Sequence, residues 1–145
     1  QKRYQQSRSR WQDYIESKSF HKLAANLRKK DIQAATNRRL KQFNRKTAEL
    51  LHTAPDEALH QLRKNLKCIR YLLELDARYS KPFRKELRQR QDLYGRFQDL
   101  HVQIELTRRF LADHPECDGV LLLGKLEREK ADTRRQILAM GGLNV

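Results

Sequence analysis

Apolar residues recur at intervals of three and four along most of this chain of 145 residues. That is the period of an α-helix with one buried face. Six helical segments follow from it. The first runs from about residue 2 to 16, with Tyr4, Trp11 and Ile15 in step. The second covers about 19–30 and aligns Phe20, Leu23, Ala24 and Leu27. The third covers about 32–51, with Leu40, Phe43, Thr47 and the Leu50-Leu51 pair on one face, and Asp31 is placed to cap its start. Thr53-Ala54-Pro55-Asp56 reads as the next helix start, with Thr53 as N-cap, Pro55 in the first turn and Asp56 and Glu57 at the positive end of the dipole. That fourth helix is expected to reach Tyr79. A fifth runs from about Pro82 to Asp113, and Pro115-Glu116-Cys117-Asp118-Gly119 breaks it. A sixth ends near Met140, where Gly141-Gly142 stops it.

The breakers between these segments are few, three Pro and five Gly, and the connections are short. The expectation is therefore an all-α domain over residues 1–145, an antiparallel bundle of about six helices. No run of 18 or more apolar residues occurs, so no transmembrane helix and no membrane partner are expected. Cys68 and Cys117 match no metal or redox spacing and read as free thiols of a reducing, cytoplasmic setting. No signal peptide is visible. Because the chain starts at Gln1 without Met, a preceding segment is expected.

Charge changes the picture from fold to partner. The net charge is +14, which speaks to binding partners and not to topology. Residues 1–50 carry 14 bases and 4 acids, residues 51–100 carry 11 and 7, and residues 101–145 carry 7 of each. The positive field belongs to the first two thirds.

The helix beginning at Asp56 concentrates it. At about 100° per residue, Leu59, Leu62, Leu66, Ile69 and Leu73 share an arc of roughly 80°, the core face. His60, Arg63, Lys64, Lys67, Arg70, Tyr71 and Glu74 share an arc of roughly 120° beside it. The cations of that stripe suit an extended polyanion. Arg grips a phosphate bidentately, Lys adds a point charge, and successive turns rise about 5.4 Å. Glu57 and Glu74 close the ends of the stripe, either orienting His60 and Arg70 or forming ordinary i,i+3 and i,i+4 pairs. On the third helix Arg38, Lys41 and Arg45 share a face, with Arg39, Lys46 and Arg28-Lys29-Lys30 nearby. If the two helices pack antiparallel, these faces are expected to converge on one groove. A merely solvated charged face is the competing reading.

The spacing His60-x-x-Arg63-Lys64-x-x-Lys67-x-x-Arg70-Tyr71-x-x-Glu74 resembles the signature helix of the CHAD family, α-helical domains named for their histidine. Gln91-Asp92-Leu93-Tyr94-Gly95-Arg96-Phe97-Gln98-Asp99-Leu100 resembles that family's second motif. The resemblance implies half of a two-repeat architecture, similar to its second repeat. Residues 31–140 would form the four-helix repeat and residues 1–30 the tail of a preceding one. It also implies non-catalytic binding of inorganic polyphosphate, association with polyphosphate granules, and contact through His60, Arg63, Lys64, Lys67, Arg70 and Tyr71. Asp99 would orient a base across the groove. Cys68 stands where many members carry a further base, while Arg96 adds one. Gly95 falls mid-helix, where Gly costs about 1 kcal/mol against Ala, so a close-packed neighbouring helix is expected there.

No phosphate loop, HExxH pattern or activated nucleophile is present, so neither catalysis nor a cofactor is expected. His60 and His101 lack the carboxylate cluster a zinc site needs. Glu57, Glu74, Asp92 and Asp99 are donors of the kind Mg²⁺ takes, but the surrounding cations argue against hydrolysis. A nucleic-acid-binding module is the alternative. It is weakened by the lack of base-reading Asn or Gln and of stacking aromatics along the stripe. An interaction scaffold is the third reading, in which the chain docks to a homo-oligomeric partner or to a second repeat.

Overall fold

A computed structural model describes residues 10, 12–14, 16–18, 22, 27–50, 53–76 and 78–143. Four helices have both ends among the described residues: α1 (Lys29–Ala48), α2 (Asp56–Leu75), α3 (Lys81–Asp113) and α4 (Val120–Ala139). No strand occurs among the described residues, so the all-α expectation holds. Most of residues 1–26, which hold the two leading helices read from the sequence, lie outside the described residues, as do their apolar positions Tyr4, Trp11, Ile15, Phe20, Leu23 and Ala24.

Each helix packs on its neighbour in the chain, α1 on α2, α2 on α3 and α3 on α4. Long-range pairs fix the antiparallel sense. The Tyr79 hydroxyl reaches Asn37 at 3.1 Å, His60 meets Gln98, and Arg108 meets Glu127. The core face read on α2 is the centre of the molecule. Leu59, Leu62, Leu66, Ile69 and Leu73 are all buried, against Leu40 and Phe43 of α1, Phe83, Leu87, Tyr94 and Phe97 of α3, and Ile137 of α4. Burial of each such side chain contributes about 1.5–3 kcal/mol.

Several helix ends differ from the sequence reading, each for a local reason. Asp31 is not the N-cap of α1. It sits inside the first turn and accepts the backbone N–H of Arg28 at 3.1 Å, so the helix starts three residues earlier. Thr53 does not cap α2, whose N-cap is Pro55. That helix ends at Leu75 and not at Tyr79. Asp76 turns extended, with φ −117° and ψ 103°. Its carboxylate accepts the backbone N–H of Arg78 at 3.2 Å and the Arg78 guanidinium at 2.7 Å. An Asp side chain that captures the N–H two residues on offers the backbone a turn in place of another helical bond. Ser80 then caps α3, accepting the Phe83 N–H at 3.3 Å. At the far end Gly141 takes φ +61°, the left-handed conformation that stops α4 as expected.

The least expected interaction closes the bundle. Arg90 is 5% exposed. Its guanidinium donates to the carbonyls of Met140, Gly141 and Gly142 at 3.1, 2.6 and 2.8 Å and pairs with Glu86. A cation at the C-terminus of a helix meets orphan carbonyls and the negative dipole end together. The tail is thereby turned onto α1, where Asn44 accepts the Leu143 N–H at 2.7 Å and donates to its carbonyl at 2.9 Å.

Two outcomes follow for stability. Replacing Arg90 by Met strands these carbonyls and the Glu86 carboxylate. Urea unfolding followed by circular dichroism should show a loss of about 3–5 kcal/mol. The Arg78 guanidinium holds the buried Asp76 carboxyl below its ordinary pKa of 3.8. A depressed folded-state pKa contributes stability above the ordinary value, and that contribution is lost as pH falls through the folded value. Asp76→Asn should lower Tm at neutral pH, with the gap to wild type closing as the solution is acidified below 3.8.

Candidate anion-binding groove

The stripe on α2 lies along the seam with α3, because the core arc adjoins it and α3 covers that side. His60 Nδ1 donates to the Gln98 side-chain carbonyl at 2.8 Å. Arg63 shares a cleft of about 550 Å³ with Gln91, Asp92, Gly95, Arg96, Asp99 and Gln103 of α3 and with Glu129 of α4. Farther along, Arg70 and Glu74 face Arg84 and Arg88 across the seam. The sequence-read stripe is therefore one bank of a groove, and α3 supplies the other.

Two guanidinium groups there have an unusual environment. The Nε atoms of Arg63 and Arg70 are shielded from water yet have no hydrogen-bond partner in the protein. Buried polar atoms are nearly always paired, and an unpaired one asks for an explanation. The Arg70 head group bonds Glu74 at 3.3 Å, the i,i+4 pair expected, and lies 4.6 Å from the Tyr71 ring centroid. Tyr71 is exposed. Lys64 is exposed and Lys67 half-buried, and neither makes a hydrogen bond or ion pair among the described residues.

Other expected members fall elsewhere. α1 and α2 do pack antiparallel, but through the side of α1 that buries Leu40 and Phe43, with Lys46 beside Ala58 and Gln61 of α2. Arg38, Lys41 and Arg45 are exposed on another flank, and Arg45 lies 3.8 Å from Glu49. The expected convergence of the two basic faces does not occur, because α3 and not α1 borders the stripe. Glu57 does not engage His60; it accepts from Gln61. Asp99 lines the cleft with Arg63 but bonds no base among the described residues. Gly95 also departs from expectation. A Cβ there would have no heavy atom within 4 Å, so no helix presses on it, and its missing side chain instead leaves the cleft floor open.

Sequence reasoning missed Arg84, Arg88 and Gln98. A signal existed, since residues 84, 88, 91, 95 and 98 follow one face of α3 at helical spacing. Arg84 has a structural duty, donating to the Asp76 and Tyr79 carbonyls at 2.8 and 3.3 Å, while Arg88 is exposed and makes no such bond among the described residues. Asp56 was read as a dipole partner only. It also binds Lys130 and Arg134 of α4, and His101 Nδ1 accepts from Lys130 at 3.0 Å. Among the described residues, no group of three or more His, Cys, Asp or Glu is arranged to hold a metal ion.

These features define a helical module with a cationic seam. The CHAD domain family model matches residues 1–108, and the chain belongs to that family. CHAD domains are linked in general with polyphosphate binding. The matched span begins at the first residue and ends within α3, so α4 lies past it. No curated protein matches the chain, and no solved structure matches it.

Gly95 gives a direct check on the open cleft. With no neighbour to strike, Gly95→Ala should stabilise the helix by about 0.5–1 kcal/mol, read as a higher urea midpoint. A destabilised variant would mean that something packs closely on Gly95.

Proposed function

We propose that the chain binds inorganic polyphosphate, without catalysis, along the α2–α3 seam. The observation that carries this reading is the pair of shielded, unpartnered Nε atoms of Arg63 and Arg70 on one bank of the groove. A phosphate pairs with Nε and one Nη of a guanidinium through two of its oxygens, so two phosphates of one chain, spaced by the roughly 10.5 Å between positions 63 and 70, would answer the two orphan donors. Lys64 and Lys67 sit between them as point charges, and Arg88 adds a cation from the opposite bank. His60 Nε2 and the Tyr71 hydroxyl are further donors at the edge when His60 is protonated. Glu74 holds Arg70 in line. Arg38, Lys41 and Arg45 extend the positive field on a separate face and make contact only with a chain long enough to leave the groove. The setting proposed is the cytoplasm, at polyphosphate granules. Among the described residues, no helix is long and apolar enough to cross a membrane.

Nucleic acid is the less favoured ligand. The one aromatic ring on the stripe, Tyr71, already stacks against Arg70, and base stacking is what a sequence-tolerant single-strand site relies on.

Calorimetric titration with long-chain polyphosphate should show binding that weakens steeply with salt, as phosphate neutralisation releases counterions. The charge reversal Arg63→Glu with Arg70→Glu should weaken it by roughly tenfold or more and lower the salt slope by about two. Arg38→Glu with Lys41→Glu, on the other face, should change it far less. Equal affinity of wild type and the first pair would remove the seam from the site. Nucleic acid outcompeting polyphosphate at equal phosphate concentration would give the groove to the other ligand.

A further inference from the structure

α3 is 33 residues long against 20 for α1 and α2. Its contact with α2 runs out where His101 meets Asp56, the first residue of α2. From Val102 onward α3 continues for about 18 Å at 1.5 Å per residue. Among the described residues it is accompanied there only by the first half of α4, up to the level of Lys130, which also reaches Asp56. This two-helix arm carries little core: Ile104 is its only fully buried apolar side chain among the described residues.

The arm is nevertheless apolar on its surface. Val102, Leu106 and Phe110 are exposed at intervals of four, which puts them on one flank of α3. Leu122 stands two turns before Glu129 on α4, and the contact of Glu129 with Arg96 marks that side as the same flank. Val120 and Leu121 crown the tip, Leu121 at 84% exposure. Six large apolar side chains are exposed on this arm, and exposed apolar residues gathered in one place mark interaction surfaces more often than residues scattered singly. The same flank runs without interruption into the open cleft over Gly95.

Charge selects what covers it. Residues 102–129 hold six acids and four bases, net −2, which leaves +16 on the remainder of a chain of net +14. The cleft at the base of the arm is mixed, with Asp92 and Asp99 beside Arg63 and Arg96. An anionic lipid surface or a polyanion is repelled by such an arm. Two copies of a strongly cationic chain repel each other least through it, since the net −2 arm of one copy meets the +16 remainder of the other favourably.

We infer that the α3–α4 arm is a self-association surface, and that its Val102–Leu106–Phe110 flank seats against a second copy of this chain. Val102, Leu106 and Phe110 lie outside the α2 stripe, although their flank runs on into the cleft that Arg63 lines, so dimerisation and polyphosphate affinity are read separately. Sedimentation velocity of the full chain, from micromolar to several hundred micromolar, should show a monomer converting to a dimer. Leu106→Glu with Phe110→Glu should remain monomeric, with wild-type helical ellipticity and wild-type polyphosphate affinity. If that pair loses ellipticity, Leu106→Ser alone is read instead, with a dimer dissociation constant raised at least about tenfold. A wild type that stays monomeric throughout overturns the inference. So does a folded variant that dimerises as wild type does, or a monomeric wild type that floats with phosphatidylcholine vesicles through this flank.

Discussion

The buried guanidinium of Arg90 is the constraint on which the arrangement of the four helices depends. A cation with almost no solvent contact is costly unless it is fully bonded. Arg90 meets that condition with three carbonyls at the end of α4 and one carboxylate on its own helix. Those bonds fix where α4 ends relative to α3, and they turn residues 141–143 toward α1. Asn44 then holds Leu143 by donor and acceptor together, and Leu143 joins the core. The first and last described helices are thus joined without packing along their lengths.

With that closure made, the seam between α2 and α3 follows. The Asp76–Arg78 turn and the Ser80 cap set how soon α3 begins, and hence its register on α2. That register puts Gln98 beside His60, the bare Gly95 beside Arg63, and Arg88 across from Arg70. Had α2 continued to Tyr79, a different row of α3 would face the stripe.

The excess of positive charge divides into two populations. Arg78, Arg84, Arg90, Lys130 and Arg134 are engaged by carboxylates or carbonyls and hold the fold. Lys64, Lys67 and Arg88 make no such contacts among the described residues, and Arg63 keeps a buried Nε unpaired. Composition counts both alike. Only the first group is needed to fold the chain, which is why the second is the one to examine for ligand contact.

Periodicity alone determined the all-helical class, the core face Leu59–Leu62–Leu66–Ile69–Leu73, the cationic arc beside it and the Gly141 stop. Each is set by residues within a turn or two of one another, where helical geometry is fixed. The spacing from His60 to Glu74 was enough to suggest the family. Local chemistry that competes with the helix was harder to see: the Asp76 turn depends on a side chain choosing a backbone N–H over another helical bond. What only the tertiary structure decided is which helix borders the stripe. Arg38, Lys41 and Arg45 are exposed on a flank away from the α2–α3 seam, while Arg88 and Gln98 border it. A helix's own sequence states which side is apolar but not which neighbour arrives on each shoulder. That is settled by long-range bonds such as those of Arg90 and Asn44, whose partners lie some 50 and 99 residues away.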